Sequence, residues 1–307
     1  MEMIPSAEIL IYGATGLIGT ALTAELTRRG HVITVVARDI TKARTRLTRS
    51  AYVVAPVDLE LSGRDVRKPD VVINLAGESI GDGRWTPERR DSIVRSREQA
   101  VDLLLRFVTR YELHPAWINA SAIGFYGMHA ERTFTEMDTE PGSDFLAQTC
   151  VSWEAAAQRA AEVCRRVVVA RFGVVLARKG GALPRMLLPY RFGVGGPVGS
   201  GRQWVSWIHL RDAAAAVSLL VEREDLRGPF NLTAPAPVTN TELGKAIADA
   251  LRKPHWLPVP SLALRLALGE MADLVLRGQR VLPQRLQDAG YAFAFTDVHA
   301  ALIDLLR

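Results

Sequence analysis

Apolar and polar positions follow two alternating rhythms over the first two thirds of the chain. Short apolar runs recur at Ile9–Tyr12, Val32–Ala37, Tyr52–Ala55, Asp70–Leu75, Trp117–Ser121 and Val167–Phe172. Runs this short, rich in Val and Ile and with little polar alternation, predict strands buried on both faces of a sheet. Between them the apolar residues take helical spacing. Leu17, Ile18, Ala21, Leu22 and Leu26 share one stripe, and Arg28-Arg29-Gly30 closes that helix with cations and a C-cap glycine. Thr41–Arg49 predicts a basic helix. Thr86-Pro87 sets a side-chain cap and an N1 proline at the head of a helix that runs to about Tyr111. An alanine-rich helix spans about Asp144–Cys164. Six strands alternating with helices predict an α/β fold with a doubly wound parallel sheet.

After Gly180 the texture changes. Gly180-Gly181, Gly193, Gly195-Gly196-Pro197 and Gly199-Ser200-Gly201 predict a loop-rich first visit to a second, smaller lobe. Leu210–Val221 reads as a helix returning to the main body and Phe230–Leu232 as a short strand. Thr239-Asn240-Thr241-Glu242 is a capping box opening a helix to about Leu251. The proline-rich stretch Pro254–Pro260 leads to helices near Ser261–Met271, Pro283–Ala289 and Thr296–Leu306. The expected division is 1–175 plus 203–233 for the sheet domain and 176–202 plus 234–307 for a discontinuous C-terminal lobe.

The candidate chemistry begins at Gly13-Ala14-Thr15-Gly16-Leu17-Ile18-Gly19. Three glycines, placed after a strand and at the head of a helix, form a phosphate cradle of the Rossmann type. Gly13 allows the tight turn, Gly16 lets backbone approach a pyrophosphate, and Gly19 lets helix and strand pack closely. The second strand ends in Ala37-Arg38, where NAD-binding folds place an acid for the ribose 2′-OH. A small neutral residue followed by an arginine favours the 2′-phosphate of NADP(H). Asp39 keeps NAD(H) open. Asp58-Leu59 falls where an adenine is lined, or else at an ordinary turn. Leu75-Ala76-Gly77 ends the fourth strand with residues small enough for a cofactor to lie across it.

Bulk composition narrows the class. The 307 residues carry 38 Lys+Arg against 33 Asp+Glu, a net charge of +5, and 48% are hydrophobic. The basic residues are scattered, without a basic cluster interleaved with aromatics, which argues against nucleic acid. Two cysteines, Cys150 and Cys164, make neither a disulfide framework nor a zinc site, and no metal is expected. On one helix they would lie roughly 21 Å apart. No apolar run reaches ~18 residues, so no membrane partner is expected. A soluble protein of the reducing cytoplasm is the expectation; a chain whose organelle-targeting segment has been removed would read the same.

These motifs together resemble the extended short-chain dehydrogenase/reductases, the group holding nucleotide-sugar epimerases and dehydratases. The match narrows at Asn74–Trp85 (NLAGESIGDGRW), Ser121–Gly127 (SAIGFYG), Gly180–Pro189 (GGALPRMLLP), Gly199–His209 (GSGRQWVSWIH) and Gly278–Pro283 (GQRVLP). These are similar to the atypical branch of epimerase-family proteins called short-chain dehydrogenase family 39U, and the likeness covers essentially the whole chain, including a small C-terminal segment at about 254–301. The resemblance implies NADP(H) binding, with Arg97, Arg171 and Gly173 joining the cofactor set, and Glu78, Arg202 and Trp204 facing a small-molecule substrate. A homodimer through helices at about 86–111 and 143–164 is the habit of the resembling fold.

The departure from that group is equally informative. Its members use a Tyr-x-x-x-Lys pair to exchange the substrate proton and hold the nicotinamide ribose. The residues four positions after Tyr12, Tyr52, Tyr111, Tyr126, Tyr190 and Tyr291 are Gly16, Pro56, Pro115, Ala130, Val194 and Phe295. By resemblance the Tyr and Lys positions fall at Leu146 and Cys150, Arg97 replaces a helix Asn, and Ser121 alone remains. Two functions stay open. One is an oxidoreductase or epimerase on a small carbonyl or sugar-like substrate. In it Ser121 donates to a substrate oxygen, Tyr126, Glu78 or Asp82 supplies the proton, and Cys150 touches ribose or substrate. The other is a catalytically silent NADP(H)-binding sensor. Arg202 is either an anion clamp or a surface residue, Arg97 is expected to pair with Glu78 or the Ser121 loop, and His129 and His209 read as loop and core residues.

Overall fold

A computed structural model describes residues 6–47, 51–61 and 66–307. The chain first lays down β1 (Glu8–Tyr12), α1 (Leu17–Arg28), β2 (Val32–Val36), α2 (Ile40–Arg46), β3 (Tyr52–Val54), α3 (Pro56–Leu61) and β4 (Val71–Asn74). It continues through α4 (Pro87–Arg110), β5 (Ala116–Ala122), β6 (Thr133–Phe134), α5 (Phe145–Gln158), β7 (Arg166–Phe172) and β8 (Val174–Leu176). Then come α6 (Leu183–Arg191), β9 (Trp204–Val205), β10 (Trp207–His209), α7 (Leu210–Glu222) and β11 (Gly228–Leu232). The C-terminal part holds β12 (Val238–Thr239), α8 (Asn240–Leu251), α9 (Ser261–Leu268), α10 (Asp273–Leu276), β13 (Arg280–Val281), α11 (Gln284–Asp288) and α12 (Val298–Leu306).

Seven strands form one sheet in the order β11-β7-β5-β4-β1-β2-β3, and every pairing in it is parallel. The order reverses on either side of β1, which makes the C-terminal ends of β1 and β4 the switch point where such sheets bind ligands. The unalternated apolar runs are explained by burial from both sides: all seven residues of β7 are buried. The expected doubly wound sheet is therefore present, with β11 as a seventh strand beside β7.

Local signals set the helix boundaries. Thr86 accepts from the Arg89 amide at the head of α4, with a proline just inside. Asp144 accepts from the amides of Leu146 and Ala147 at the head of α5, and Thr239 with Glu242 closes a capping box on α8. Two expectations are corrected. The helix predicted to reach Cys164 ends at Gln158 and continues as a single 3-10 turn over Arg159–Glu162, because the chain must turn back into β7. The two cysteines are both buried and free. The loop-rich stretch after Gly180 contains α6, hidden in the sequence by Pro184 near its start and Pro189 within it. The last residues of the predicted basic helix, 48–49, lie outside the described residues.

The main core fills both faces of the sheet. A second core joins Leu183 and Leu187 of α6 to Leu243 and Ile247 of α8 and to Leu302 of α12. Paired strands β8 and β10 give apolar side chains to both cores, and a polar clasp joins them as well. Asp212, on the first turn of α7 and 1% exposed, accepts from the amides of Ala294 (2.8 Å) and Phe295 (2.9 Å) and from the Tyr291 hydroxyl (3.0 Å). No helix among the described residues is long and apolar enough to cross a membrane. Removing a buried carboxylate that satisfies three donors leaves those donors unpaired, so Asp212→Ala is expected to lower unfolding stability by about 3 kcal/mol, measured by urea denaturation against wild type.

Candidate functional site

The glycine loop is built for close approach. Gly13 has φ +91°, a left-handed conformation that favours glycine. A Cβ there would stand 2.6 Å from the Leu75 carbonyl carbon and 2.7 Å from the Ala76 amide, so the loop rests directly on the end of β4. The Gly16 amide donates to the Gly13 carbonyl (3.1 Å), and Gly16 caps α1. A Cβ at Gly19 would strike the backbone of Gly13 and Ala14. The first turn of α1 thus presents its free amides at the strand ends, an arrangement that favours an anion. Thr15 and Ile18 are partly buried there, and Leu17 packs beneath Gly180 and Gly181.

Beyond β2, Ala37 is buried and Arg38 exposed. Asp39 is occupied: its carboxylate accepts from the Lys42 amide and caps α2. A second cation, missed in the sequence, reaches the loop. The Arg46 guanidinium donates to the Thr15 carbonyl at 3.3 Å. Its only signal was the basic character of the helix. Asp58 spends its carboxylate on the Ala55 amide (2.6 Å), the turn alternative left open by the sequence. Leu59, 1% exposed, is a core side chain, so only backbone at that point faces outward.

At the end of β4, Asn74 accepts from the Ala76 amide (3.1 Å) and donates to Asn119 (2.9 Å), fixing Leu75-Ala76-Gly77 in place. The Glu78 carboxylate is bound by Arg89 and by the Ser92 hydroxyl, which removes it as a free acid or base. Asp82 pairs with Arg185 (2.9 Å), and that bond holds its carboxyl below the usual carboxylate range. Both expected carboxyls are thus held in ion pairs with arginines. Arg97 does not make the expected contacts to Glu78 or the Ser121 loop; it donates to the Ile93 carbonyl of its own helix (2.8 Å).

The face of α5 that the resemblance assigns to the proton relay carries Leu146, Cys150 and Glu154 at four-residue spacing. The turn after β5 lies on this face: a Cβ at Gly124 would stand 3.6 Å from the Leu146 Cβ and 3.7 Å from the Cys150 sulfur. Cys150 donates weakly to the Ala122 carbonyl (3.6 Å). Burial, with the Glu154 charge second, pushes its thiol up to about 11. It is neither a nucleophile nor a cation near neutral pH.

Glu154 is a further residue that the sequence did not reveal. The Ser121 hydroxyl donates to it at 2.6 Å. Arg171 grips it with two bonds of 2.9 and 2.8 Å, in a pair only 5% and 15% exposed. This corrects two expectations. Ser121 has its proton committed to a carboxylate, so it presents lone pairs and cannot also donate to a substrate oxygen. Arg171 is an internal anchor, stacked 3.6 Å from the Phe125 ring centroid. Tyr126 is likewise closed off. Its hydroxyl donates to Asn231 (2.8 Å) and accepts from Arg171 (3.0 Å), it is 4% exposed, and burial raises its pKa. Gly173 is a packing position: a Cβ there would stand 2.5 Å from the Ser206 carbonyl oxygen.

In the loop ahead of β9, Arg202 is exposed. Gln203 donates to the carbonyls of Val198 (2.9 Å) and Val275 (2.7 Å). The Trp204 indole donates to the Ala130 carbonyl (3.1 Å) and lies under the Arg280 guanidinium at 4.6 Å. These contacts tie the 127–135 segment to the C-terminal segment, as does the pairing of β6 with β13. His129 caps its own loop at the Arg132 amide, and His209 caps α7 at the Arg211 amide.

A parallel sheet with a glycine cradle at its switch point defines a dinucleotide-binding α/β protein of the short-chain dehydrogenase/reductase type. The model of the NAD dependent epimerase/dehydratase family matches residues 9–232, and a domain of unknown function matches 259–305. The chain belongs to the NAD dependent epimerase/dehydratase family, in its atypical short-chain branch. It is 42% identical over 299 residues to the epimerase family protein YfhF of Bacillus subtilis, covering 97% of each chain. Among solved structures it is similar to the human epimerase family protein SDR39U1 with NADPH, at 34% identity and TM-score 0.86, covering 97% of this chain and 99% of that one. It is also similar to a nucleoside-diphosphate sugar epimerase from Corynebacterium glutamicum, at 29% identity and TM-score 0.77, covering 98% of this chain and 58% of that one.

Two outcomes follow from this geometry. At pH 8 a thiol with a pKa of about 11 is only about one part in a thousand thiolate. Cys164 is pushed up further, to about 12, by burial. Ellman's reagent is therefore expected to find no fast-reacting thiol in the native protein and two after denaturation. Glu154→Gln strips the partner from a buried guanidinium, and urea denaturation is expected to show a loss of about 3 kcal/mol.

Proposed function

We propose that this protein binds NADP(H) and is an oxidoreductase or epimerase acting on a small carbonyl or sugar-like substrate. The observation that carries the reading is the cradle of Gly13, Gly16 and Gly19 resting on Leu75-Ala76, with exposed Arg38 beyond β2 and Asp39 already spent on a helix cap. Gly13 and Gly19 let the loop pack backbone to backbone on the end of β4 and on the head of α1, and that packing brings the free amides of the first turn to the strand ends, where a pyrophosphate is favoured. Arg38 and Arg46 suit a 2′-phosphate, where bidentate guanidinium contacts are strong. NADPH in the human relative supports the same choice. The nicotinamide, when bound, supplies or takes the hydride. The chain's own part is to hold the dinucleotide through residues 13–19, Arg38 and Leu75-Ala76-Gly77, and to orient a substrate against the lone pairs of Ser121. The nucleotide-binding unit in this reading is 1–175 plus 203–233, and the substrate-side lobe is 176–202 plus 234–307.

A second reading has an observation of its own. Tyr126, Glu78, Asp82 and Cys150 are all bound or buried, and none is a ready proton donor, which favours an NADP(H)-binding sensor without turnover. NADPH oxidation across a broad panel of carbonyl substrates separates the two: consumption with any substrate supports the enzyme, and none across the panel alongside tight binding supports the sensor.

Equilibrium titration of cofactor-stripped protein is expected to show NADPH binding at least about tenfold tighter than NADH, a gap of ~1.4 kcal/mol. Arg38→Ala is expected to remove that gap. Equal binding of both cofactors by wild type would refute the NADP(H) preference.

A further inference from the structure

Helix α1 carries the glycine loop at its head, and further down it lines a cavity of about 540 Å³. Ala21 and Ala24 of α1, Ala214 of α7 and Leu305 of α12 give this cavity an apolar lining. Helix α1 packs against α7, and alanines at the seam are too short to fill it. None of Gly13, Gly16 or Gly19 lines the cavity. Ala24 stands eight residues after Gly16, about 12 Å along the helix axis. The cavity is therefore separate from the nucleotide cradle, and its volume suits a small molecule.

The charge around this lining is one-sided. Arg28, Arg178, Lys179 and Arg211 border the cavity, against one acid, Glu25. Glu25 is already spent. Arg28 binds it with bonds of 3.0 and 2.7 Å and Arg29 with one of 2.8 Å, and the Arg28 bonds hold its carboxyl down to about 2. Asp304, outside the lining, stands 3.3 Å from the His209 ring. Arg178, Lys179 and Arg211 are exposed, and among the described residues no carboxylate lies within ion-pair distance of any of them. Water satisfies such cations one at a time. Three of them beside an apolar cavity suit a ligand with two unlike ends. A hydrocarbon body gains by leaving water for the alanine and leucine surface, and an oxyanion head gains charge-assisted hydrogen bonds from the guanidinium and ammonium groups.

We propose that this cavity is a second binding site, for a small aliphatic oxyanion: a carboxylate or phosphate monoester whose head is held by Arg178, Lys179 and Arg211 and whose chain lies on Ala21, Ala24, Ala214 and Leu305. The site uses none of the residues assigned to NADP(H), so it stands or falls separately from that reading.

The test is isothermal titration with four probes: octanoate and octyl phosphate, which carry both ends, 1-octanol, which lacks the charge, and acetate, which lacks the chain. Wild type is expected to bind octanoate or octyl phosphate saturably, and 1-octanol and acetate at least about tenfold more weakly. The double variant Arg178→Ser/Arg211→Ser removes two head contacts and is expected to weaken the anionic probes by about tenfold or more. Ala24→Trp fills the cavity from an exposed helix position and is expected to weaken them at least as much. Thermal denaturation is the folding control, and should the double variant not fold, Ala24→Trp carries the comparison alone. No saturable binding of either anionic probe overturns the proposal. So does 1-octanol binding as tightly as the anions, which would leave the cations without a role. Anion binding that survives the variants unchanged lies elsewhere on the molecule, in the cradle or the cleft, and overturns it as well.

Discussion

Backbone against backbone, where Gly13 meets Leu75 and Ala76, is the contact on which the rest of the molecule depends. No side chain fits between them. Because β1 ends this close to β4, the turn into α1 is tight, and α1 must start at the strand ends with its amides directed outward. Gly19 extends the constraint by letting α1 lie against the turn it has just left. The same closeness requires β4 to end in small residues, and the Asn74–Asn119 bond carries that order across to β5. Parallel strands buried on both faces then follow from the apolar runs, since every neighbour of this junction is covered by a helix.

One layer further along the sheet, the polar groups bind one another. Where the resemblance places a Tyr-x-x-x-Lys pair, this chain has Leu146 and Cys150, and the polar groups nearby are joined into a buried network. Ser121, Glu154, Arg171, Tyr126 and Asn231 satisfy one another across α5, β5, β7 and β11. Such networks hold elements in register when every member is bonded, and they leave little freedom for proton traffic. The residues that looked reactive are the ones most firmly held. The exposed cations Arg38, Arg46 and Arg202 stand outside this network.

What the sequence revealed depended on how local the cause was. The seven strands of the main sheet, the caps of α4 and α8 and the glycine turn are decided within a few residues, and these were legible; the short strands outside that sheet were not. Helix α6 was not, because Pro184 and Pro189 read as breakers although proline is tolerated near a helix start. The end of α5 was misplaced because alanine propensity continues past Gln158 while the return to β7 is a tertiary demand. Glu154 was invisible for a related reason. On its helix it is one glutamate among alanines, and only folding brings it to Ser121, 33 positions away, and Arg171, 17 positions away. The same holds for Glu78, whose partners lie on α4 rather than in the cleft.

The Asp212 clasp carries a consequence for how the protein comes apart. Its carboxylate is rooted in α7, which packs against α1 of the cradle, and it is spent on the amides of Ala294 and Phe295, just ahead of α12 in the second core. Neither core can open far without uncovering that charge. The two hydrophobic cores therefore share one cooperative transition. In hydrogen exchange, the amides of 294 and 295 are then expected to fall in the same protected unit as the helix beside the glycine loop, although some 270 residues of chain lie between them.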